Sequence, residues 1–247
     1  MATRSEFDRL FNEICKKYGF DLTITDEQLE KFFIVSENLL AENEKFNLTA
    51  IRSLDGVILK HICDSACVAK QIPELPRGAK LLDVGSGAGF PALPIAVMRP
   101  DLSVTALDAT EKKVKFIEQT AKLAKIGNIT CISGRAEELA APKSEMREDF
   151  DFVIARSVAE LRILNELCLP FLKVGGKFYA MKASRALHEA ESSRNGRMML
   201  GAAEKVVITK LYTDEFGEDR LLITETKKLQ TSGKYPRRFA NIKKSPL

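Results

Sequence analysis

The sequence predicts an α/β fold in which a small N-terminal helical region precedes a seven-stranded, mostly parallel sheet with helices on both faces and an antiparallel edge. Three observations carry this prediction. Five short apolar runs, at 80–84, 102–107, 129–132, 151–155 and 177–181, alternate with helix-like segments. Alternation of this kind implies parallel strands joined by right-handed crossovers. Two further β-branched-rich runs, 205–211 and 220–226, flank Thr213-Asp-Glu-Phe-Gly217 and read as an antiparallel pair at the sheet edge. Ahead of both sets, residues 5–72 carry helical apolar spacing.

In chain order, Phe7, Leu10, Phe11 and Ile14 form one helical stripe, and Leu29, Phe32, Phe33, Val35, Leu39 and Leu40 form a second. Thr25 followed by Gln28 has the form of a capping box. Pro73-Glu-Leu-Pro76-Arg-Gly78 breaks the pattern and marks a boundary, giving a helical region over 1–72 and a sheet domain over 73–247. The helix-like stretch 110–125 separates the second and third strands. A basic tail begins near residue 233. Its last fourteen residues hold Lys234, Arg237, Arg238, Lys243 and Lys244 and no acid.

With 247 residues the chain has room for one large α/β domain and a small accessory unit. A net charge of +4 is too mild to mark a nucleic-acid binder unaided, so the concentration of cations in the tail matters more. No apolar run reaches the length of a signal peptide core or a membrane span, which predicts a cytoplasmic protein with no membrane partner. Cys15, Cys63, Cys67, Cys131 and Cys168 are odd in number and scattered, the pattern of free thiols. His61, Cys63, Asp64 and Cys67 are metal-ligand types, but no second half of a structural set follows, and no metal is expected. No obligate protein partner is evident.

The first strand runs into Asp83-Val-Gly85-Ser-Gly87-Ala-Gly89-Phe90, which places glycines at a strand's carboxyl end, where open α/β sheets bind ligands. A dinucleotide fingerprint would need glycine where Phe90 stands, so pyrophosphate binding is disfavoured. The Gly-x-Gly-x-Gly pattern instead resembles the signature of class I S-adenosylmethionine-dependent methyltransferases, which have a Rossmann-like fold. In that pattern Asp83 and an acid ending the second strand complete the nucleoside site, and Asp108 is that acid. One ionised carboxylate can accept from both vicinal ribose hydroxyls. A helix N-cap is the alternative role for Asp108, and a turn-closing carboxylate for Asp83. After the third strand, Ala136 and Glu137 are the candidates for adenine contact, with a plain acidic helix start as the alternative.

Three segments together resemble the bacterial 16S rRNA guanine-N7 methyltransferases of the glucose-inhibited division protein B family. They are Lys45-Phe-Asn-Leu-Thr-Ala-Ile-Arg52 with His61 and Asp64-Ser65; Asp83 to Pro94; and Ala155-Arg156-Ser157-Val158-Ala159. The resemblance covers roughly residues 40–247 and implies S-adenosylmethionine as cofactor and 16S rRNA or the small ribosomal subunit as partner. It places cofactor contacts at Gly85, Phe90, Ala136, Glu137 and Arg156, beside the glycines Gly87 and Gly89. Arg156 is expected next to the methyl-transfer position, and Lys182 resembles the lysine of a recurring segment after the fifth strand. For Asn47 and Thr49 the alternative to a site role is capping of the helix-to-loop junction, and for His61 with Asp64 it is a structural hydrogen-bonded pair. The tail matches at Lys234-Tyr-Pro-Arg-Arg238, while Ala240-Asn-Ile242 departs from the usual Gly-Thr-Pro. Lys234, Arg237, Arg238, Lys243 and Lys244 are the expected RNA contacts, and deleting the tail is expected to leave cofactor affinity nearly unchanged.

Guanine N7 carries a free in-plane lone pair at neutral pH, so its methylation needs alignment and no general base. The absence of an acid–base dyad fits that chemistry. Ile154-Ala-Arg-Ser157 is not the Asn/Asp-Pro-Pro-aromatic motif of amino-group methyltransferases, and no Pro-Cys dipeptide supports attack on a pyrimidine. The competing readings are a methyltransferase of another RNA, an NAD-dependent oxidoreductase and a non-catalytic RNA-binding module.

Overall fold

The computed structural model describes residues 2–75, 77–156 and 159–247. The chain opens with α1 (Arg4–Tyr18) and α2 (Asp26–Asn43). Thr3 caps α1 by accepting from Glu6 N, and Thr25 with Gln28 forms the expected reciprocal capping box on α2. A loop then leads to α3 (Leu54–Val57), a π-helical turn (Ile58–Cys63) and α4 (Asp64–Ala69).

The alternating half follows: β1 (Lys80–Val84), α5 (Ala92–Met98), β2 (Ser103–Asp108), α6 (Glu111–Leu123), β3 (Ile129–Ser133), α7 (Ala136–Leu139), β4 (Phe150–Arg156), α8 (Leu161–Cys168) and β5 (Leu172–Lys182). It closes with α9 (Ala186–Ser192), α10 (Arg194–Met199), β6 (Val207–Thr213), β7 (Asp219–Thr226) and α11 (Phe239–Lys244). The seven strands lie in the order β3-β2-β1-β4-β5-β7-β6, with β1 to β5 parallel. The antiparallel strand β7 sits between β5 and β6, so β6 is outermost. Asp214 sets their turn by accepting from Phe216 N and Glu218 N.

Successive strand residues point to opposite faces, which splits the apolar runs between two cores. Leu81, Val104, Phe152 and Ile154 face a layer that includes α1, α2, α4, α5 and α6; Leu82, Leu107, Val153 and Ala155 face α8 to α11. The helices on either side of Pro73 therefore share one core, reaching from Phe7 and Phe32 to the sheet. Full burial of side chains such as these stabilises by roughly 1.5–3 kcal/mol each. Among the described residues no helix is long and apolar enough to cross a membrane.

The tail is folded. Ile242 of α11 is fully buried, and Arg237 forms a two-pronged ion pair with Glu166 on α8, at 2.6 Å and 2.9 Å. Arg162 donates to the carbonyl of Leu247.

Candidate active site

Five parallel strands end on one edge of the sheet, and the order reverses between β1 and β4, which opens a crevice at their carboxyl ends. The glycine loop after β1 lies there. Gly85 N and Ser86 N both donate to Leu107 O, tying the loop to β2. Gly87 has a φ of +59°, and a Cβ built on it would meet only Gly85 O, at 4.0 Å. Gly89 has a φ of +88°, and its Cβ would come within 2.5 Å of Leu93 on α5. The first glycine thus opens the cleft to a ligand, while the second permits close packing of the following helix.

The two acids act on the loop from different sides. Asp83 is 1% exposed, lies behind the cleft and accepts from Ala92 N at the start of α5. Burial pushes its carboxyl up to about 7, opposed by Ser86 and Arg156. That geometry closes the turn between β1 and α5. Asp108 accepts from Gly87 N at 2.9 Å and from Thr110 N at 2.8 Å. It braces the glycine loop as well as ending β2, and α6 takes no side-chain cap from it.

Arg156 ends β4, and among the described residues its polar partners all come from the N-terminal helices. Its guanidinium donates to Lys60 O at 2.7 Å and to His61 Nδ1 at 2.9 Å, and it lies 3.5 Å from Asp64 Oδ2. A guanidinium only donates, so His61 Nδ1 accepts and its Nε2 carries the proton toward Thr49 Oγ1, 3.1 Å away. Burial, with the Arg156 charge adding to it, lowers the His61 pKa to about 3, so the ring stays neutral and remains an acceptor. The imidazole stacks on Phe90 with centroids 4.5 Å apart. All three Arg156 partners come from the π turn and the first residue of α4. Widened turns of this kind recur at functional sites.

In place of the alternative of a pair between His61 and Asp64, each residue meets Arg156. Asn43, on α2, holds the preceding loop by accepting from Leu48 N and Thr49 N. Neither the role of Asn43 nor the pairing of His61 with Arg156, 95 residues apart, has a local sequence signal.

A cleft of about 630 Å³ joins these parts, lined by Gly85, Gly87, Phe90, Arg156 and Lys182 and also by Lys60, His61, Asp64, Tyr212 and Arg220. Lys182 is at its rim, but its ammonium pairs with Glu189 of α9 at 2.7 Å and donates to Ala159 O at 2.6 Å. It ties the segment after β4 to α9. Ser157 and Val158 lie outside the described residues. Ala136 and Glu137 are in α7, one strand beyond Asp108. Glu137 lines a separate groove of about 590 Å³ with Arg135, Arg237, Arg238 and Phe239. The tail therefore packs beside the expected adenine end, and it is not remote from the cofactor candidates.

The chain resembles known proteins along nearly its whole length. A family model described as rRNA small subunit methyltransferase G matches residues 27–216. The ribosomal RNA small subunit methyltransferase G of Clostridium kluyveri is 38% identical over 242 residues, covering 98% of this chain and 99% of that one. Its counterpart from Lactobacillus delbrueckii subsp. bulgaricus is 41% identical over 240 residues, covering 96% and 98%. Among solved structures, an S-adenosylmethionine-dependent O-methyltransferase from Thermotoga maritima shares the fold with a TM-score of 0.50 at 18% identity, over 78% of this chain and 72% of that one. Matched by that family model and by full-length relatives near 40% identity, the chain belongs to the GidB family of rRNA small subunit methyltransferases.

Proposed function

We propose that this protein transfers a methyl group from S-adenosylmethionine to N7 of a guanine in 16S rRNA. The observation that carries the reading is the order of candidate groups along the carboxyl edge: α7 after β3, Asp108 after β2, the glycine loop after β1, Arg156 at the end of β4. Neighbouring strands lie about 4.8 Å apart, so these groups span the length of an extended nucleoside with an amino-acid arm. In this reading Ala136 and Glu137 hold the adenine, Asp108 the ribose, and Gly85, Gly87 and Phe90 the arm. Gly87 fits such a ligand, because it lines the cleft and a Cβ built on it would meet only Gly85 O, at 4.0 Å.

S-adenosylmethionine, when bound, supplies an electrophilic methyl group on a sulfonium sulfur. The chain's task is alignment, since guanine N7 needs no base. Arg156 is fixed at the cleft by three partners, and neutral His61 keeps it there without a competing charge. Membership of the family supports rRNA of the small subunit as the substrate class.

The decisive test is mass spectrometry of 16S rRNA from cells with and without the gene, expected to show one 7-methylguanine missing in the deletion. An unchanged modification pattern, or a methyl lost from another atom, would overturn the assignment. Calorimetry checks the cofactor half. Gly87→Ala is expected to weaken S-adenosylmethionine binding at least tenfold, because it adds a Cβ to a residue that lines the cleft and costs about 1–2 kcal/mol in a left-handed backbone.

A further inference from the structure

We propose that Asp64 forms the base-reading end of the cleft, its carboxylate accepting the N1–H and exocyclic amino protons of the target guanine. This inference rests on the guanine-N7 reading and adds the residue that selects the base.

The charged groups lining the cleft are Lys60, Arg156, Lys182, Arg220 and Asp64, so among the described lining residues Asp64 is the one carboxylate. It is the first residue of α4, directly after the π turn, and its side chain is mostly buried. Burial raises its pKa, opposed by the positive charges of Arg156, 3.5 Å from Oδ2, and of Arg220. The position is therefore built and largely desolvated, which strengthens any bond the carboxylate makes.

Base chemistry gives that carboxylate a specific counterpart. Guanine alone among the four RNA bases presents two adjacent donors on its pairing edge, N1–H and the N2 amino group, and one carboxylate can take both. Adenine offers an acceptor at N1, which a carboxylate repels. Beside these donors guanine carries O6, and beside O6 lies N7. Arg156 spends three of its five N–H groups on Lys60, His61 and Asp64, and the other two take no partner among the described residues, so they can donate to O6. With Asp64 at N1 and N2 and Arg156 at O6, the N7 lone pair stays open next to the residue that ends β4.

The same placement favours the reaction as well as binding. Methylation turns a neutral guanine into a cationic purine and makes N1–H more acidic. A fixed carboxylate at N1 and N2 interacts more strongly with that developing positive charge than with the starting base. Asp64 therefore contributes to both selection and rate.

The test uses full-length protein and 16S rRNA assembled by ligation, with either guanine or inosine at the methylated position. Inosine keeps N7, O6 and N1–H and lacks only the N2 amino group. Wild-type protein is expected to lose roughly 10- to 100-fold in kcat/KM on inosine, the range for a hydrogen bond to a charged group. In Asp64→Asn the one remaining acceptor oxygen is claimed by Arg156, which can only donate, and the amide nitrogen is left facing the N2 donor, so the guanine-to-inosine ratio should fall to about one while S-adenosylmethionine affinity by calorimetry stays within about threefold. Equal wild-type rates on both RNAs, or a variant that keeps the wild-type ratio, would overturn the proposal. Loss of cofactor binding in Asp64→Asn would also count against it, since Asp64 would then belong to the cofactor half. If wild-type protein places no methyl on guanine N7 at all, the function itself is what fails.

Discussion

Arg156→Ala is expected to lower kcat by about two to three orders of magnitude, the loss seen when one well-placed donor is removed from a reacting centre. Removing the guanidinium leaves Lys60 O and His61 Nδ1 without their donor and takes the nearest cation away from Asp64. Each buried polar group left unpaired costs about 1–3 kcal/mol, so a lower melting temperature should accompany the loss of rate. Arg156→Lys should not rescue activity, because one ammonium does not reproduce a planar fork that meets three partners on separate sides. Stopped single-turnover assays at saturating cofactor and RNA separate the two effects. Wild-type turnover in a folded Arg156→Ala variant would remove the residue from the reaction.

The second large effect concerns the tail, where one of five cations differs from the rest. Arg237 is paired with Glu166, whose side chain is 0% exposed, and its backbone N–H also donates to Glu166 Oε1 at 2.8 Å. Arg237→Ala strands a buried carboxylate and is expected to cost about 3–5 kcal/mol, which lowers the melting temperature by roughly 6–20 °C in a chain of this size. Glu166→Gln with Arg237→Ala should recover part of that loss. Lys234, Arg238, Lys243 and Lys244 are exposed and make no ion pair among the described residues. Replacing them by alanine should leave stability within about 0.5 kcal/mol. If they contact phosphates, the same changes flatten the slope of log RNA affinity against log salt by about 0.7–0.9 per cation. An unaltered slope would make these four cations bystanders, and an unaltered melting temperature in Arg237→Ala would remove the anchor. Whole-tail deletion confounds the two, because Ile242 and the tail's packing beside Glu137 go with it.

Features that depend on neighbours in sequence were legible without coordinates. Leu81 and Leu82 point to opposite faces because a strand alternates, and the five apolar runs announced five parallel strands, of which the edge strand β3 is only half-buried. Thr25 and Gln28 meet because three residues separate them. Gly87 was recognisable because a left-handed turn at a strand end admits little else.

Only the tertiary structure decided which distant groups meet. Asp83 and Asp108 looked alike as acids flanking a glycine loop, yet packing placed one behind it against Ala92 N and the other on Gly87 N. His61 and Asp64 sit three residues apart and looked like a pair, but a guanidinium at the end of β4 offered both a stronger partner than either could offer the other. Likewise, β7 lies inside the sheet rather than at its border, because the hairpin after β6 folds back into the space beside β5. Arg237 read as one more free cation until burial of Glu166 claimed it. Local pattern determines which face a residue shows. The cost of leaving a buried charge or donor alone determines its partner, and that cost exists only once the chain has folded.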